Sequence, residues 1–408
     1  MAKKRTDGHN PSIVVKGLSG NKPVAQARKS LNFRFIFSEI DKPFFILMLV
    51  LLVFGITMMF SASFASSIYE HGDGYFYLKK QLIFAIVGVI AMLIISTIDY
   101  HFLQNTKVAY LSFLGTLALT LFTALFGVST ADASRWIIIG PIRLQPSEIL
   151  KITYIIIFAY ILAVNFPKFK SWKYSILPFA TIMGVVAIIL ALQRHLSAIM
   201  LVVIIGITMM FVGGVPRKTF WTFIGAGVLV VCVFALILIV AGGGKFSYVL
   251  TRFESWRDPF SDISGDTAQT YQGLLAIGSG GWFGLGFGNS RQKYLYLPES
   301  QNDFIFSIVC EELGFIGAMV VILLFVMFVF RGFFIATKAK DRFGMLLATG
   351  IVTQIGIQAF LNIAVSCNAF PNTGISLPFF SYGGTALMLQ LAEVGVLLNI
   401  SRQGRIKK

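Results

Sequence analysis

The sequence predicts an all-α fold, that of a polytopic membrane protein with about ten transmembrane helices and one large extracytoplasmic loop. Three observations predict it. Of 408 residues, 56% are hydrophobic and only 13% are charged, the balance of an integral membrane protein. Apolar runs of about 18 to 25 residues, long enough to cross a bilayer as helices, recur along the whole chain. The basic residues between these runs fall on alternate connections, as a chain threading a membrane requires.

The runs lie at 43–62, 81–98, 107–128, 147–164, 175–192, 196–213, 219–241, 303–330, 345–366 and 377–400. Between the fifth and sixth, Gln193-Arg194-His195 is either a tight turn or the break of a re-entrant segment. Lys3, Lys4, Arg5, Lys16, Lys22, Arg28, Lys29, Arg34 and Lys42 precede the first run. Lys168, Lys170 and Lys173 follow the fourth, Arg217 and Lys218 the sixth, and Arg331, Lys338, Lys340 and Arg342 the eighth. Arg402, Arg405, Lys407 and Lys408 close the chain. This is the positive-inside pattern, so both termini are expected in the cytoplasm. The first run begins too late and is too long for a cleavable signal peptide and is expected to act as a signal anchor. Residues 1–42 form a basic tail expected to be disordered, 43–401 one membrane domain, and 402–408 a second basic tail.

Topology accounts for the net charge of +16, which therefore does not imply nucleic acid. Cys232, Cys310 and Cys367 lie within or beside apolar runs, at spacings that suit neither a disulfide framework nor a zinc site. Four scattered histidines argue against a His/Cys metal centre. The halves of the chain show no convincing repeat, which weakens a transporter built on inverted repeats.

Polar residues at membrane boundaries carry the candidate chemistry, because desolvating an ionised group is costly. The large loop, 243–302, begins with Gly242-Gly243-Gly244 and ends in Tyr296-Leu297-Pro298-Glu299-Ser300-Gln301-Asn302-Asp303. Asp303 thus stands at the outer mouth of a long apolar run, where a carboxylate is able to take a proton from a substrate hydroxyl; an N-cap for a helix starting at Phe304 is the structural alternative. The run Gly278-Ser279-Gly280-Gly281-Trp282-Phe283-Gly284-Leu285-Gly286-Phe287-Gly288 suits a tight surface turn better than a phosphate cradle, and no Gly-Lys-Ser/Thr follows it. Arg291 and Lys293 beside it favour an anion.

A second cluster, Ser134-Arg135-Trp136, precedes Gln145-Pro146-Ser147-Glu148 and Lys151. Pro146 suits a first helical turn, and Glu148 and Lys151, three apart, face the same way. They either neutralise one another or belong to a charge network lining a polar cavity. Arg135 and Trp136 suit an interfacial anchor as well as a site. The third cluster, Pro371-Asn372-Thr373-Gly374-Ile375-Ser376-Leu377-Pro378-Phe379-Phe380-Ser381-Tyr382-Gly383-Gly384, breaks a helix at membrane depth, which is tolerated only against protein or a water-filled cavity. Glu393 is expected to face the bundle with a partner, and Glu311 and Glu312 to be structural pairs or buried hydrogen-bonding groups.

Taken in order, Ser134-Arg135-Trp136, Gln145-Pro146-Ser147-Glu148, Ala276-Ile277-Gly278-Ser279-Gly280-Gly281, Gly286 to Lys293, Leu297-Pro298-Glu299, Asp303-Phe304-Ile305-Phe306, Glu311-Glu312-Leu313-Gly314 and Leu377 to Gly384 resemble the SEDS family, whose FtsW, RodA and SpoVE members serve division, elongation and sporulation. The resemblance covers the chain from first run to last. It implies a peptidoglycan glycosyltransferase with ten spanning helices that polymerises lipid II at the outer face of the membrane, beside a class B penicillin-binding protein that acts as transpeptidase. Other divisome membrane proteins are implied as partners, and the growing glycan strand as a ligand. The family's catalytic acid matches Asp303, its charge pair Glu148 and Lys151, and its loop tryptophan Trp136. Arg135, Arg252, Arg291 and Lys293 are the candidate cations for the leaving pyrophosphate, with a divalent ion, magnesium or manganese, as the alternative, and Ser381 is a further substrate-contacting candidate. Asn302, the Gln193-Arg194-His195-Leu196-Ser197 turn and Thr373 depart from the family pattern, whereas Pro298-Glu299 resembles its division and sporulation branch, with division preferred. A lipid II flippase and a non-enzymatic scaffold for the transpeptidase are the alternatives this pattern leaves open.

Overall fold

The computed structural model describes residues 40–130, 133–140, 142–240, 247–263, 265 and 267–405. Most of the basic N-terminal tail, the start of the large loop at 243–246 and the last three residues lie outside the described residues.

Asp41 starts the first helix, α1 (Lys42–His71), by accepting a hydrogen bond from the Phe44 N–H at 3.0 Å, with Pro43 in the first turn where its missing N–H leaves no bond unmade. There follow α2 (Phe76–Ile95) and α3 (Thr106–Phe126), then a small antiparallel sheet of β1 (Val128–Thr130), β2 (Ala133–Ile139) and β3 (Ile142–Leu144). Next come α4 (Pro146–Asn165), the single turn α5 (Trp172–Ser175), α6 (Leu177–Leu192), α7 (Leu196–Val212) and α8 (Arg217–Val240). The outer insert holds α9 (Ser247–Arg257) and α10 (Ala268–Gly280), and α11 (Ile305–Thr337), α12 (Arg342–Ser366) and α13 (Gly384–Arg405) complete the chain.

Helices occupy all ten predicted positions. Among the described residues, eight segments are long and apolar enough to cross a membrane; α7 is apolar but only 17 residues long, and α8 is helical over 24. Gln193-Arg194-His195 is a tight turn: the His195 N–H returns to the Leu190 carbonyl at 3.0 Å, and Arg194 takes a positive φ of 51°. The sheet was not expected. Its signal is Trp136-Ile137-Ile138-Ile139 before Gly140-Pro141, a β-rich run ahead of a turn pair, hidden by the apolar runs on either side. At the other end, α13 continues into the predicted C-terminal tail as far as Arg405.

α12 packs against α11, α4, α7 and α13, and most of its residues are buried. The rings of Phe44, Phe328 and Phe379 meet in series, tilted and then edge-to-face, at 4.8 and 5.8 Å between centroids, and fasten α1 and α11 to the loop before α13. Arg331 pairs with Asp41 at 2.8 Å, and the Asp41 N–H reaches the Ser401 hydroxyl at 3.2 Å. The first and last helices therefore begin and end on one face. The sheet, the insert and the 371–383 loop occupy the opposite one.

The long eighth span is two pieces. Gly314 sits at φ 67°, ψ −167°, outside the range open to residues with a side chain, and interrupts α11. The glycine-rich run fills the gap: the N–H groups of Leu285 and Gly286 donate to the Glu311 and Glu312 carbonyls, and those of Phe315 and Ile316 donate to Gly281 and Trp282. Those N–H groups are committed to the break, so this run is a packing turn. Residues 315–337 alone reach about 34 Å, enough to cross a bilayer. Asp303 consequently stands beyond the membrane-spanning part, in the outer layer.

Candidate active site

Asp303 lies in the turn before α11. The helix begins at Ile305, and Phe304, with no capping side-chain bond, holds the N-cap position. Asp303 therefore does not cap the helix. Its backbone carbonyl is fixed instead by Asn362 of α12, whose Nδ2 bridges the carbonyls of Asp303 and Ile375 at 2.7 Å each. Its carboxylate makes no hydrogen bond with the described residues. Burial pushes this carboxyl up to about 6, the neighbouring Glu299 charge acts in the same direction, and Arg135 and Arg252 pull the other way.

Several elements converge on this carboxylate. Arg135, on β2, donates to the carbonyls of Gln193 and Arg194 at 3.3 and 2.5 Å, which ties the sheet to the α6–α7 turn. Arg252, on α9, donates to the Asn372 carbonyl at 2.5 Å. His195 is buried; burial first, then the charges of Arg135, Lys151 and Arg252, hold its imidazole well below the usual value, so it is neutral at pH 7. The departure at this turn thus places an uncharged ring among three cations.

Glu148 and Lys151 form an ion pair at 2.9 Å, with side chains 12% and 3% exposed. Lys151 also donates to Gln358 Oε1 at 3.2 Å, and Gln358 Nε2 donates to the Ser376 carbonyl and hydroxyl at 3.1 Å. The pair therefore connects α4 through α12 to the loop that faces Asp303. Glu393 finds its partner in Gln354, whose Nε2 donates to it at 2.7 Å.

Other candidates have different surroundings. Lys293 is buried, with its ammonium 3.0 Å from Glu312 and hydrogen bonds to Ser61 Oγ and the Gly288 carbonyl. A cation neutralised inside the protein is a poor pyrophosphate ligand, and the expected role of Lys293 is corrected to a structural one. Glu311 accepts from the Ser290 hydroxyl and the Arg291 N–H, so both glutamates serve as buried anchors for the glycine-rich turn. The Arg291 side chain is exposed. Neither Arg291 nor Lys293 is among the charges acting on Asp303. The Ser381 hydroxyl donates to the Asn302 carbonyl at 2.6 Å and accepts from the Leu377 N–H at 2.7 Å, which clamps two loops together. Trp136 is half-buried on β2, opposite Val128.

Sequence reasoning missed Asn362, Gln358 and Gly374. The amides are lone polar residues in an apolar helix, a signal indistinguishable from packing until partners are known. Gly374 sits at φ 66°, and a Cβ there would stand 3.2 Å from Asp303 Oδ2. Gly374→Ala is expected to cost about 1–2 kcal/mol for the left-handed backbone and to lower turnover further by crowding the carboxylate. Thermal unfolding and turnover of the purified variant check both effects; unchanged turnover would place Gly374 outside the reacting region.

Apolar helices beneath a polar outer layer, with a raised carboxylate in that layer, define a multi-pass membrane protein with its reactive group on one aqueous side. The chain belongs to the family described as "Cell cycle protein" that unites FtsW, RodA and SpoVE, whose pattern matches residues 42–406. It is 38% identical to stage V sporulation protein E of Bacillus subtilis, over 88% of this chain and 96% of that protein. It is 37% identical to the probable peptidoglycan glycosyltransferase FtsW of Geobacter metallireducens, over 91% and 98%. The fold matches a chain of a peptidoglycan synthase complex with TM-score 0.71 at 24% identity, covering 90% of this chain and 99% of that one. It also matches the rod shape determining protein RodA of Thermus thermophilus, with TM-score 0.64 at 22% identity, covering 90% and 98%.

Proposed function

We propose that the chain is a peptidoglycan glycosyltransferase that polymerises lipid II at the outer face of the bacterial cytoplasmic membrane, in cell division. The observation that carries this is Asp303, a carboxylate without hydrogen-bond partners among the described residues, raised to about 6 and flanked by two guanidinium groups. A general base works best with a pKa near the operating pH. Membership of the family and the FtsW names of relatives sharing most of the chain support the substrate and the division role.

In the proposed reaction the acceptor's 4-hydroxyl attacks the anomeric carbon of the donor while Asp303 accepts its proton. The bond from that carbon to the pyrophosphate breaks, and polyprenyl pyrophosphate leaves. One inverting displacement turns an α-linked donor into a β-1,4 link. The leaving group gains negative charge, which Arg135 and Arg252 stabilise from either side of the site. The donor set also suits a hard divalent ion: Glu299 would supply a carboxylate oxygen to magnesium or manganese held chiefly by the pyrophosphate, where it would neutralise charge. Both termini are assigned to the cytoplasm, and a class B transpeptidase with other divisome membrane proteins are the proposed partners.

Purified protein with lipid II in detergent tests this function. Glycan strands are the expected product; translocation across a bilayer without polymer would make the chain a flippase, and neither activity with tight partner binding would make it a scaffold. The same assay run against pH tests the base. Protonation removes the base, so kcat/KM should fall below about pH 6, by about tenfold per unit. Glu299→Gln removes a charge that raises Asp303 and should move this acid limb to lower pH. A limb that stays in place would show that Asp303 is not the group titrating.

A further inference from the structure

A cavity of about 400 Å³ shares Arg252 with the site described above, and the reaction uses none of its other lining residues. Thr251, Arg252, Ser255 and Trp256 of α9, Gln269 and Thr270 of α10, and Asn372 line it. None of these belongs to a membrane-crossing helix, so the cavity is built for the water-soluble part of a ligand and not for a polyprenyl tail. Its size falls in the range of about 300–1,000 Å³ typical of small-ligand sites. One guanidinium, two amides, three hydroxyls and an indole form the wall, and no carboxylate does. That set suits a neutral, hydroxyl-rich and amide-bearing ligand: amides and hydroxyls both donate and accept, and the indole offers an apolar face.

The wall is held in place. Trp256 Nε1 donates to the Asn368 carbonyl at 3.0 Å, and Asn368 Nδ2 returns to the Trp256 carbonyl at 3.2 Å. Asn372 Nδ2 donates to Gln269 Oε1 at 3.0 Å, and Gln269 Nε2 donates to the Pro298 carbonyl at 3.1 Å. Those two bonds fix the cavity to the segment that carries Asp303. Asn372 Oδ1 also accepts from the Gly374 N–H, and Gly374 borders the Asp303 carboxylate. Thr270 is 5% exposed and is one of the residues that form the wall.

Resting on the polymerase function above, we propose that this cavity is the subsite for the N-acetylhexosamine that presents the attacked hydroxyl to Asp303. Arg252 already donates to the Asn372 carbonyl, which favours the sugar over a stem-peptide carboxylate as the occupant. Incoming lipid II and the free end of a strand carry the same sugar chemistry.

Saturation-transfer NMR with tri-N-acetylchitotriose and the full-length protein in detergent tests the subsite independently of turnover. Transfer to the N-acetyl methyl protons is expected with wild type and with Asp303→Asn. Thr270→Val, which keeps the shape, and Gln269→Leu should each weaken binding about tenfold, the loss of one to two hydrogen bonds. No transfer in the wild type, or transfer unchanged in both variants, would overturn the subsite. If glycan still forms from lipid II in that case, the polymerase function stands without it; trisaccharide binding without any glycan would instead overturn the polymerase and leave a saccharide site. Kinetics of Thr270→Val identify the source. A raised KM for lipid II assigns the cavity to the incoming unit, and an unchanged KM with shorter products assigns it to the strand end.

Discussion

Asp303→Asn is expected to lower lipid II polymerisation by about 10²–10⁴-fold, the usual contribution of a positioned general base, or about 3–5 kcal/mol in the barrier. The substitution keeps the shape and removes the basicity. It should not disturb folding, because the side chain caps nothing and Asn362 holds only the backbone carbonyl. The sign of the linkage agrees. A carboxyl whose pKa is raised in the folded state destabilises that state once the pH exceeds the folded value, so asparagine at neutral pH should leave the melting temperature unchanged or slightly raised. Turnover, thermal unfolding and trisaccharide binding, measured on one preparation, separate the roles. A folded Asp303→Asn protein that makes glycan at near-normal rate would remove Asp303 from the chemistry.

Asp303 was legible in the sequence because it ends a polar loop and precedes a long apolar run, a pattern that needs only chain order. Its environment was not. Burial raises the carboxyl, and the two guanidinium groups that oppose the rise, Arg135 from a sheet 168 residues upstream and Arg252 from the insert, are encoded by nothing local to Asp303. Lys293 shows the same limit from the other side. Next to Arg291 and a glycine-rich run it looked like an anion ligand, but Ser61 of α1 and Glu312 of α11 close around it. Spacing within a segment reveals which residues share a face, and only packing reveals what that face meets. The ten helices were legible for the converse reason: length and hydropathy are local quantities, and a bilayer imposes both. The three-stranded sheet escaped because its strands are short and stand between two apolar runs, where β-branched residues merge with the helices around them. The break at Gly314 escaped because Glu311-Glu312-Leu313-Gly314 lies inside one continuous apolar pattern, and the loop that satisfies its backbone comes from about thirty residues earlier.

Glu148 and Lys151 should behave as one unit. Each is nearly buried, so Glu148→Gln or Lys151→Met leaves its partner's charge without a counter-charge, at a cost of about 3–5 kcal/mol. Removing both should cost less than the sum of the singles, with a coupling of about 0.5–3 kcal/mol. The two singles should still differ in activity. Lys151 holds Gln358, and Gln358 holds Ser376 in the loop whose Gly374 borders Asp303. Glu148→Gln leaves that chain of hydrogen bonds in place, whereas Lys151→Met removes its first link and lets the loop shift against the carboxylate. At matched loss of stability, Lys151→Met is therefore expected to have the lower kcat. Unfolding midpoints and lipid II turnover for the two singles and the double variant complete the cycle. Strictly additive losses would show that the ion pair contributes nothing as a pair, and equal kcat values at matched stability would remove the link from Lys151 to the Asp303 loop.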